Sequence, residues 1–511
     1  MARFRKLGGS QWLAPHQAHE WAKGPAKVQP NPNLLKEGPK MIRSVGIDLH
    51  QGRHRARCLD ERAQPCDSFS FQTTPEGLAT LEERVFREGA NPIIVLEPAG
   101  LPWLMVAVYL RSRHPDCRLV KAKTQKVAAL RRYLRGPVKS DRLDALTLAK
   151  MPFIDPEQLN EIYLPPAEIH ALQRLTRQRK RIEQDITGRK VRISAIVDGY
   201  LPGVRRAFND VWSSPVRAFL RSRLNPFVVV RDGEESLHAF LSKASPRSKW
   251  SSTQTKLVFW ACQNLAAVCE LSEPAGTVNE EFFMNLQDEI ARELRMLEAD
   301  EFESEALARR IAELYRKLHH SDNLRTIPGV GEHTAPIFLA TVGDPARFHN
   351  QSAFANWEGV VPGARQSSDV QAKGLRMTKA GPSIMRMALY QAGDIGRRWD
   401  PQLAAVYHRE MVYHGKNHRQ AMGAVMSHLG ARVLRVLKED SPYELRDVEG
   451  NPISKDEARR LVLSKYHVSE DIRRERRRRN PKVCKDRETA TYRTNEAGKA
   501  PQPVQVEAVS R

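Results

Sequence analysis

The chain has 511 residues, and its 82 Lys and Arg against 60 Asp and Glu leave a formal net charge of +22. Hydrophobic residues make up 41%, enough for packed cores, which argues against a wholly disordered chain. No run nears the ~18 consecutive apolar residues of a membrane-spanning helix, which excludes a helical integral membrane protein.

At about 150 residues per domain, the length predicts about three domains plus tails. The positive excess points to a polyanionic partner, nucleic acid well before an anionic membrane surface. The cysteines (Cys58, Cys66, Cys117, Cys262, Cys269, Cys484) form no Cys-x-x-Cys pair and no zinc-finger spacing. They read as reduced thiols of a cytosolic protein. Residues 1–40 mix Pro, Gly, Lys and Arg without periodicity and lack the apolar stretch of a secretory signal. They read as a disordered arm, with Met41 as an alternative start of translation.

From Ser44 the pattern changes. Ser44–His50, Arg55–Asp60 and Asp67–Gln72 read as three short strands joined by turns. Pro75–Glu88 has helical spacing, with Thr74 as N-cap and Pro75 at the first helical position. Ile93–Glu97 is an apolar run ending in an acid, the pattern of a strand buried on both faces. A helix over Trp103–Arg113, a strand over Cys117–Lys121 and helices over 124–134 and 141–150 follow. Three strands and then alternating helix and strand is the order of a ribonuclease-H-like α/β domain, expected over 41–160.

A helical region is predicted over 161–322. Leu172, Leu175, Ile182, Ile186, Ile193, Ile196 and Tyr200 fall on one heptad seam, broken by Arg179 and Arg189. Leu286, Ile290, Leu297, Leu307, Ile311, Leu314 and Leu318 form a second. Coiled coil, long antiparallel hairpin and two core helices of an ordinary bundle all fit this spacing. Residues 201–282 between the seams suggest an insertion without an assigned role. A mostly helical unit is expected over 323–440, and the run Ile472–Arg479 (IRRERRRR) places a basic, largely disordered tail over 441–511.

Four acids stand at informative places. Asp48 closes the first strand and Glu97 the fourth, which are neighbours in a ribonuclease-H-like sheet. Asp141 and Asp144 share one helix face at i, i+3 spacing. Carboxylates gathered this way repel unless a divalent cation neutralises them, and oxygen-only ligands favour Mg²⁺ or Mn²⁺. In the C-terminal unit, Pro328-Gly329-Val330-Gly331 between helical segments has the form of a helix-hairpin-helix motif. Gly329 and Gly331 would there expose backbone N–H groups to a phosphate, a contact that positions without reading sequence. Further on, Arg365-Gln366-Ser367-Ser368 precedes the basic residues Lys373, Arg376 and Lys379, which can hold phosphate oxygens.

Gly46-Ile47-Asp48-Leu49-His50, Leu96-Glu97-Pro98-Ala99-Gly100 and Lys139-Ser140-Asp141-Arg142-Leu143-Asp144-Ala145 resemble the three signatures of DEDD transposases. These are bacterial insertion-sequence enzymes related to the Piv invertase, with a RuvC-like N-terminal domain. The block from Phe354 to Gly381 resembles their C-terminal transposase domain. The resemblance spans roughly 44–200 and 285–440. It implies that Asp48, Glu97, Asp141 and Asp144 bind the divalent metals, with His50 in a supporting or packing role. It also implies a serine nucleophile. Counting from Val361-Pro362 favours Ser367 and counting back from Thr378-Lys379 favours Ser368, and Ser367 is preferred. Ser368-Asp369 stands where the family commonly has Gly-Gly.

The resemblance therefore implies a DNA transposase and recombinase that cuts and rejoins element ends, with Mg²⁺ or Mn²⁺ as cofactor. A site-specific invertase or metal-dependent Holliday-junction resolvase is the enzymatic alternative, and a non-catalytic nucleic-acid-binding protein the other. The expected partners are DNA, a structured guide RNA as in some family members, and further copies of the chain in a dimer or tetramer. The expected location is the bacterial cytoplasm, at the nucleoid when acting.

Overall fold

Strand β1 (Ile42–Asp48) is buried on both faces over Ser44–Asp48, as a central strand must be. It pairs antiparallel with β2 (His54–Asp60), which pairs antiparallel with β3 (Pro65–Phe71). On its other side β1 runs parallel to β4 (Ile93–Leu96), and β4 parallel to β5 (Leu119–Lys121). A two-residue strand, β6 (Asn160–Glu161), completes a six-stranded sheet of order β3-β2-β1-β4-β5-β6. The computed structural model describes residues 41–478 except 98–101, 123, 137–139, 157–158, 202, 209, 246–249, 272–277, 364–365, 368–369 and 372–374.

Both faces of the sheet are covered. Helix α1 (Pro75–Val85) begins where the sequence places it, with the Thr74 hydroxyl accepting from Gly77 N at 3.1 Å. It and α2 (Pro102–Arg113) bury Val45, Ile47, Ile94 and Leu96 on one side. On the other, α3 (Thr124–Arg135) and α4 (Asp141–Ile154) cover Val95 and Val120 with Val127, Leu148 and Met151. This mixed sheet with the remainder of the chain mostly helical is consistent with a ribonuclease-H-like DEDD domain. The first compact unit ends at Leu164 and the second begins at Pro165.

The second unit is built along α5 (Ala167–Tyr200) and α9 (Glu280–Leu318). Arg192 bonds Glu293 while Arg189 reaches Asp300, so the two helices run antiparallel. Leu172, Ile193, Ile290, Leu294 and Leu297 are buried, and Leu307 and Ile311 nearly so. Of the readings the heptads left open, a long antiparallel pair within one chain is the one formed. Residues 201–282 hold α6 (Ser214–Ser222), α7 (Pro226–Lys243, kinked at Gly233) and α8 (Ser252–Leu271). These close a core around Phe219, Phe283 and Leu241, each large side chain contributing about 1.5–3 kcal/mol by leaving water.

At the other end of the pair, α10 (Ala335–Val342), α11 (Gln351–Glu358), α12 (Ser383–Gly396), α13 (Pro401–His408) and α14 (His418–Glu439) share a second core. Helices α15 (Lys455–Lys465) and α16 (Glu470–Arg478) follow. The expectation of a largely disordered tail from 441 is therefore corrected as far as residue 478. Ser454 and Glu457 form a reciprocal cap on α15, Ile472 packs on the core, and Arg476 Nε donates to Met411 O at 3.2 Å. Arginine-rich composition hid one apolar anchor. The spacer and C-terminal segments form one unit, so the described chain divides in two where length suggested about three.

Candidate metal centre and serine hairpin

Gly46 decides how closely α4 can lie on the sheet. A Cβ at this position would stand 2.1 Å from Ala145 O and 2.3 Å from Ala149 N. Ser44 fixes the same contact by donating its hydroxyl to Ala149 O at 2.8 Å, fully buried. Asp48 shares its strand face with Gly46 and so lies on the α4 side. The Ser140 side chain caps α4 at Leu143 N, which sets Asp141 and Asp144 in the first turn.

The result is a gathering of acids at the carboxyl end of the central strands. Asp48 and Asp144 are buried, Asp141 exposed and Glu97 half-buried. Ile47 pairs with Leu96, so Asp48 and Glu97 continue adjacent parallel strands. Asp48, His50 and Asp141 each offer a ligand atom within 4.8 Å of the others. His50 Nε2 stands 3.1 Å from Asp48 Oδ2 and 3.5 Å from Asp141 Oδ1. Asp144 is paired with Arg131 of α3 at 2.6 Å. Burial raises the pKa of Asp48, and Asp144 and Asp141 raise it further, against the lowering by His50.

This donor set fits a hard divalent cation. A desolvated carboxylate crowded by two others has an electrostatic deficit that a positive ion removes. His50 is exposed rather than packed, and its ring bridges two of the acids. Its position two residues after Asp48 on the same strand end was the available signal. Arg131 carried none, because only the seating of α3 beside α4 brings it to Asp144.

In the second unit, the described residues between 359 and 379 pair as two antiparallel arms. Lys379 N donates to Gly359 O, Thr378 N to Val361 O and Gly363 N to Arg376 O, at 2.9–3.0 Å. Nearer the tip, β7 (Gln366–Ser367) pairs with β8 (Val370–Gln371), Ser367 opposite Val370. Ser367 is thus the last described residue of its strand. Ser368 and Lys373 lie outside the described residues. Arg376 and Lys379 are exposed on the returning arm, and Lys379 adopts a left-handed backbone with φ of 53°.

The Pro328–Gly331 turn follows a short 3₁₀ segment, Asn323–Thr326, and precedes α10. Gly329 (φ 88°) lies against α12, where a Cβ would meet Ala392 O at 2.1 Å. The N–H groups of Val330 and Gly331 donate to Ile327 O and to the Thr334 hydroxyl, each at 3.0 Å. Close packing thus accounts for Gly329.

One residue that the sequence reading passed over lies at the foot of the hairpin. Glu358, the last residue of α11, is fully buried and neither carboxyl oxygen has a hydrogen-bond partner. Burial pushes its pKa up to about 9. It sits against Gly430 of α14, where a Cβ would stand 2.4 Å from Glu358 Oε1.

Comparison with known proteins matches these regions to two families. A DEDD transposase family model covers residues 45–202, and a model of the IS116/IS110/IS902 transposase family covers 321–408. The chain is 21% identical over 404 residues to the "Insertion element IS110 uncharacterized 43.6 kDa protein" of Streptomyces coelicolor, covering 79% of this chain and 95% of that one. It is 27% identical over 128 residues to the pilin gene-inverting protein of Moraxella bovis, 25% of this chain and 40% of that one. It is also 27% identical over 240 residues to an IS900 42 kDa protein of Mycobacterium paratuberculosis, 47% and 55% of the two chains. These matches support an IS110/Piv-related transposase, an enzyme that cuts and rejoins DNA.

Proposed function

We propose that this transposase exchanges DNA strands through a serine nucleophile, Ser367, and a divalent-metal centre formed by Asp48, Glu97, Asp141 and Asp144. The observation that carries the metal centre is the approach of Asp48, His50 and Asp141 to within 4.8 Å of one another, with the charge of Asp144 also acting on Asp48. Bound Mg²⁺ or Mn²⁺ would neutralise charge on the attacked phosphate and favour loss of the hydroxyl proton.

The rest of the chemistry belongs to the chain. Asp48 and Asp141 hold the centre from a strand end and a helix N-terminus, and His50 orients both carboxylates by sharing its ring N–H between them. Arg131 holds Asp144 in position through their ion pair at 2.6 Å. Ser367 Oγ attacks phosphorus and forms a phosphoserine ester as the bond to the 3′ oxygen breaks. One proton leaves the serine and one is taken up by the 3′ oxygen, so the step is proton-neutral overall. The ester conserves the bond for attack by a second 3′ hydroxyl. Lys373, Arg376 and Lys379 would hold phosphate oxygens of the attacked strand, whereas the Gly331 N–H already donated to Thr334 and the packing of Gly329 on α12 leave the Pro328–Gly331 turn a lesser part in this contact.

Trapping with DNA and Mn²⁺ tests this reading. A covalent protein–DNA adduct is expected from the wild type and is lost in Ser367→Ala; an adduct persisting in Ser367→Ala moves the nucleophile to Ser368 or elsewhere. Asp141→Ala is expected to abolish recombination with DNA binding retained, and unchanged recombination overturns the metal assignment. The likeness to a gene-inverting protein favours one variant of the reading, in which the same strand exchange inverts a segment. The product distinguishes them, since inversion leaves the segment in the same molecule. A guide RNA and an oligomer of two or four chains complete the proposal.

A further inference from the structure

A cleft of about 500 Å³ lies between the α12–α13 connection and the α15–α16 region, all within the second unit. Its wall carries four arginines, Arg397, Arg398, Arg459 and Arg473, and no carboxylate. Arg397 and Arg398 are each bonded to Asp394, at 2.6 and 2.7 Å. Arg459 and Arg473 have no carboxylate partner among the described residues. Arg473 Nε is buried without any hydrogen-bond partner, which is costly for a guanidinium that otherwise finds an acceptor. The same wall carries three aromatic rings. Trp399 is 41% exposed, with the Arg459 guanidinium 4.3 Å over its ring, and Tyr407 and Tyr466 stand nearby.

We propose that this cleft receives one unpaired nucleotide of a single-stranded nucleic acid, its phosphate on Arg473 and Arg459 and its base against Trp399 and Tyr466. The planar guanidinium fork matches a phosphate, and aromatic faces accept any base by stacking. A free inorganic anion would use the arginines and leave the aromatic wall idle. A duplex keeps its bases stacked inside and offers none to a closed cleft. Seven of the twelve lining residues, from Arg459 to Arg473, lie beyond residue 408, where the second family match ends. The cleft is therefore built in part by the two helices that the arginine-rich sequence concealed. The proposal rests on the strand-exchange reading for its source of unpaired nucleotides, either RNA or displaced DNA.

The test uses the full-length protein with fluorescent single-stranded DNA, single-stranded RNA and duplex DNA of equal length. Arg473→Gln, and separately the exposed Arg459→Gln, are expected to weaken single-strand binding about tenfold and duplex binding less than twofold. Each is expected to lower the slope of log affinity against log salt by about one on the single strand alone. Trp399→Leu should cost single-strand affinity and Trp399→Phe restore it, which separates stacking from folding damage. The stronger of the RNA and DNA arms identifies the source. Equal losses on duplex and single strand, or protection of the cleft by inorganic phosphate with no effect of oligonucleotide, overturn the proposal. Photocrosslinking at Trp399 or Tyr466 without recombination by the wild type supports the cleft while counting against strand exchange.

Discussion

Glu358 is the residue at which burial and ionisation conflict most openly. A carboxylate without hydrogen bonds in a dry core is far costlier than the neutral acid, so the folded state keeps the proton up to a pH of about 9. The unfolded chain releases it near 4.5. Between these values the folded state binds one more proton, so stability is complete below pH 4.5 and falls as pH rises, by about 1.4 kcal/mol per pH unit at most. Glu358→Gln removes that slope. Thermal melts of both proteins from pH 5 to 8.5 should therefore diverge increasingly with pH, the variant being the more stable at the alkaline end; parallel profiles would contradict the buried-acid account. Gly46 makes a steric prediction at the same scale. Gly46→Ala puts a methyl group within 2.1 Å of the Ala145 carbonyl, and relieving the clash must move α4, costing about 3 kcal/mol or more. Urea unfolding should show this loss, together with weaker Mn²⁺ binding, because the displaced helix carries Asp141 and Asp144.

The α5–α9 pair shows the balance among elements. Its seams are spent on each other, and the Arg189 that interrupts the heptad pattern is the pair's polar clasp. It donates to Asp300 at 2.7 Å and to Glu293 at 3.2 Å, with only 14% of its side chain exposed. Bonding to Asp300, and next to Glu293, holds the guanidinium above its ordinary pKa despite burial. Arg189→Ala leaves the partly buried Asp300 without its cation and Glu293 with Arg192 alone, and should cost about 1–3 kcal/mol, read as a lower urea midpoint. A loss no greater than that of the exposed Arg192→Ala would show that the clasp adds nothing. At the same scale, the serine hairpin is anchored by backbone bonds at its foot and a short ladder at its tip. This arrangement sets Ser367 at the end of a strand, where its register is fixed by its Val370 partner.

For the whole molecule, the +22 charge is consistent with the DNA-acting enzyme that the family matches identify, and among the described residues no helix is long and apolar enough to cross a membrane. The guide RNA proposed above makes a direct prediction. Recombination by purified protein should fail after RNase treatment and return on adding element RNA; full activity in its absence would remove the guide from the mechanism. Much of this could be read from the chain alone, for definite reasons. Strand alternation, the Thr74 and Ser140 caps and the spacing of the acids are local properties, and local sequence sets them. So the elements of the first unit, and the placing of Asp48, Glu97, Asp141 and Asp144 at their ends, were legible before any fold. Other features depend on which surfaces meet. Arg131 reaches Asp144, Glu358 loses its water, Gly329 meets α12 and the arginine-rich run after Ile472 folds back only through contacts between residues remote in sequence. Periodicity says that a face is apolar or an acid is present, whereas burial and charge compensation are settled by the neighbours that tertiary packing supplies.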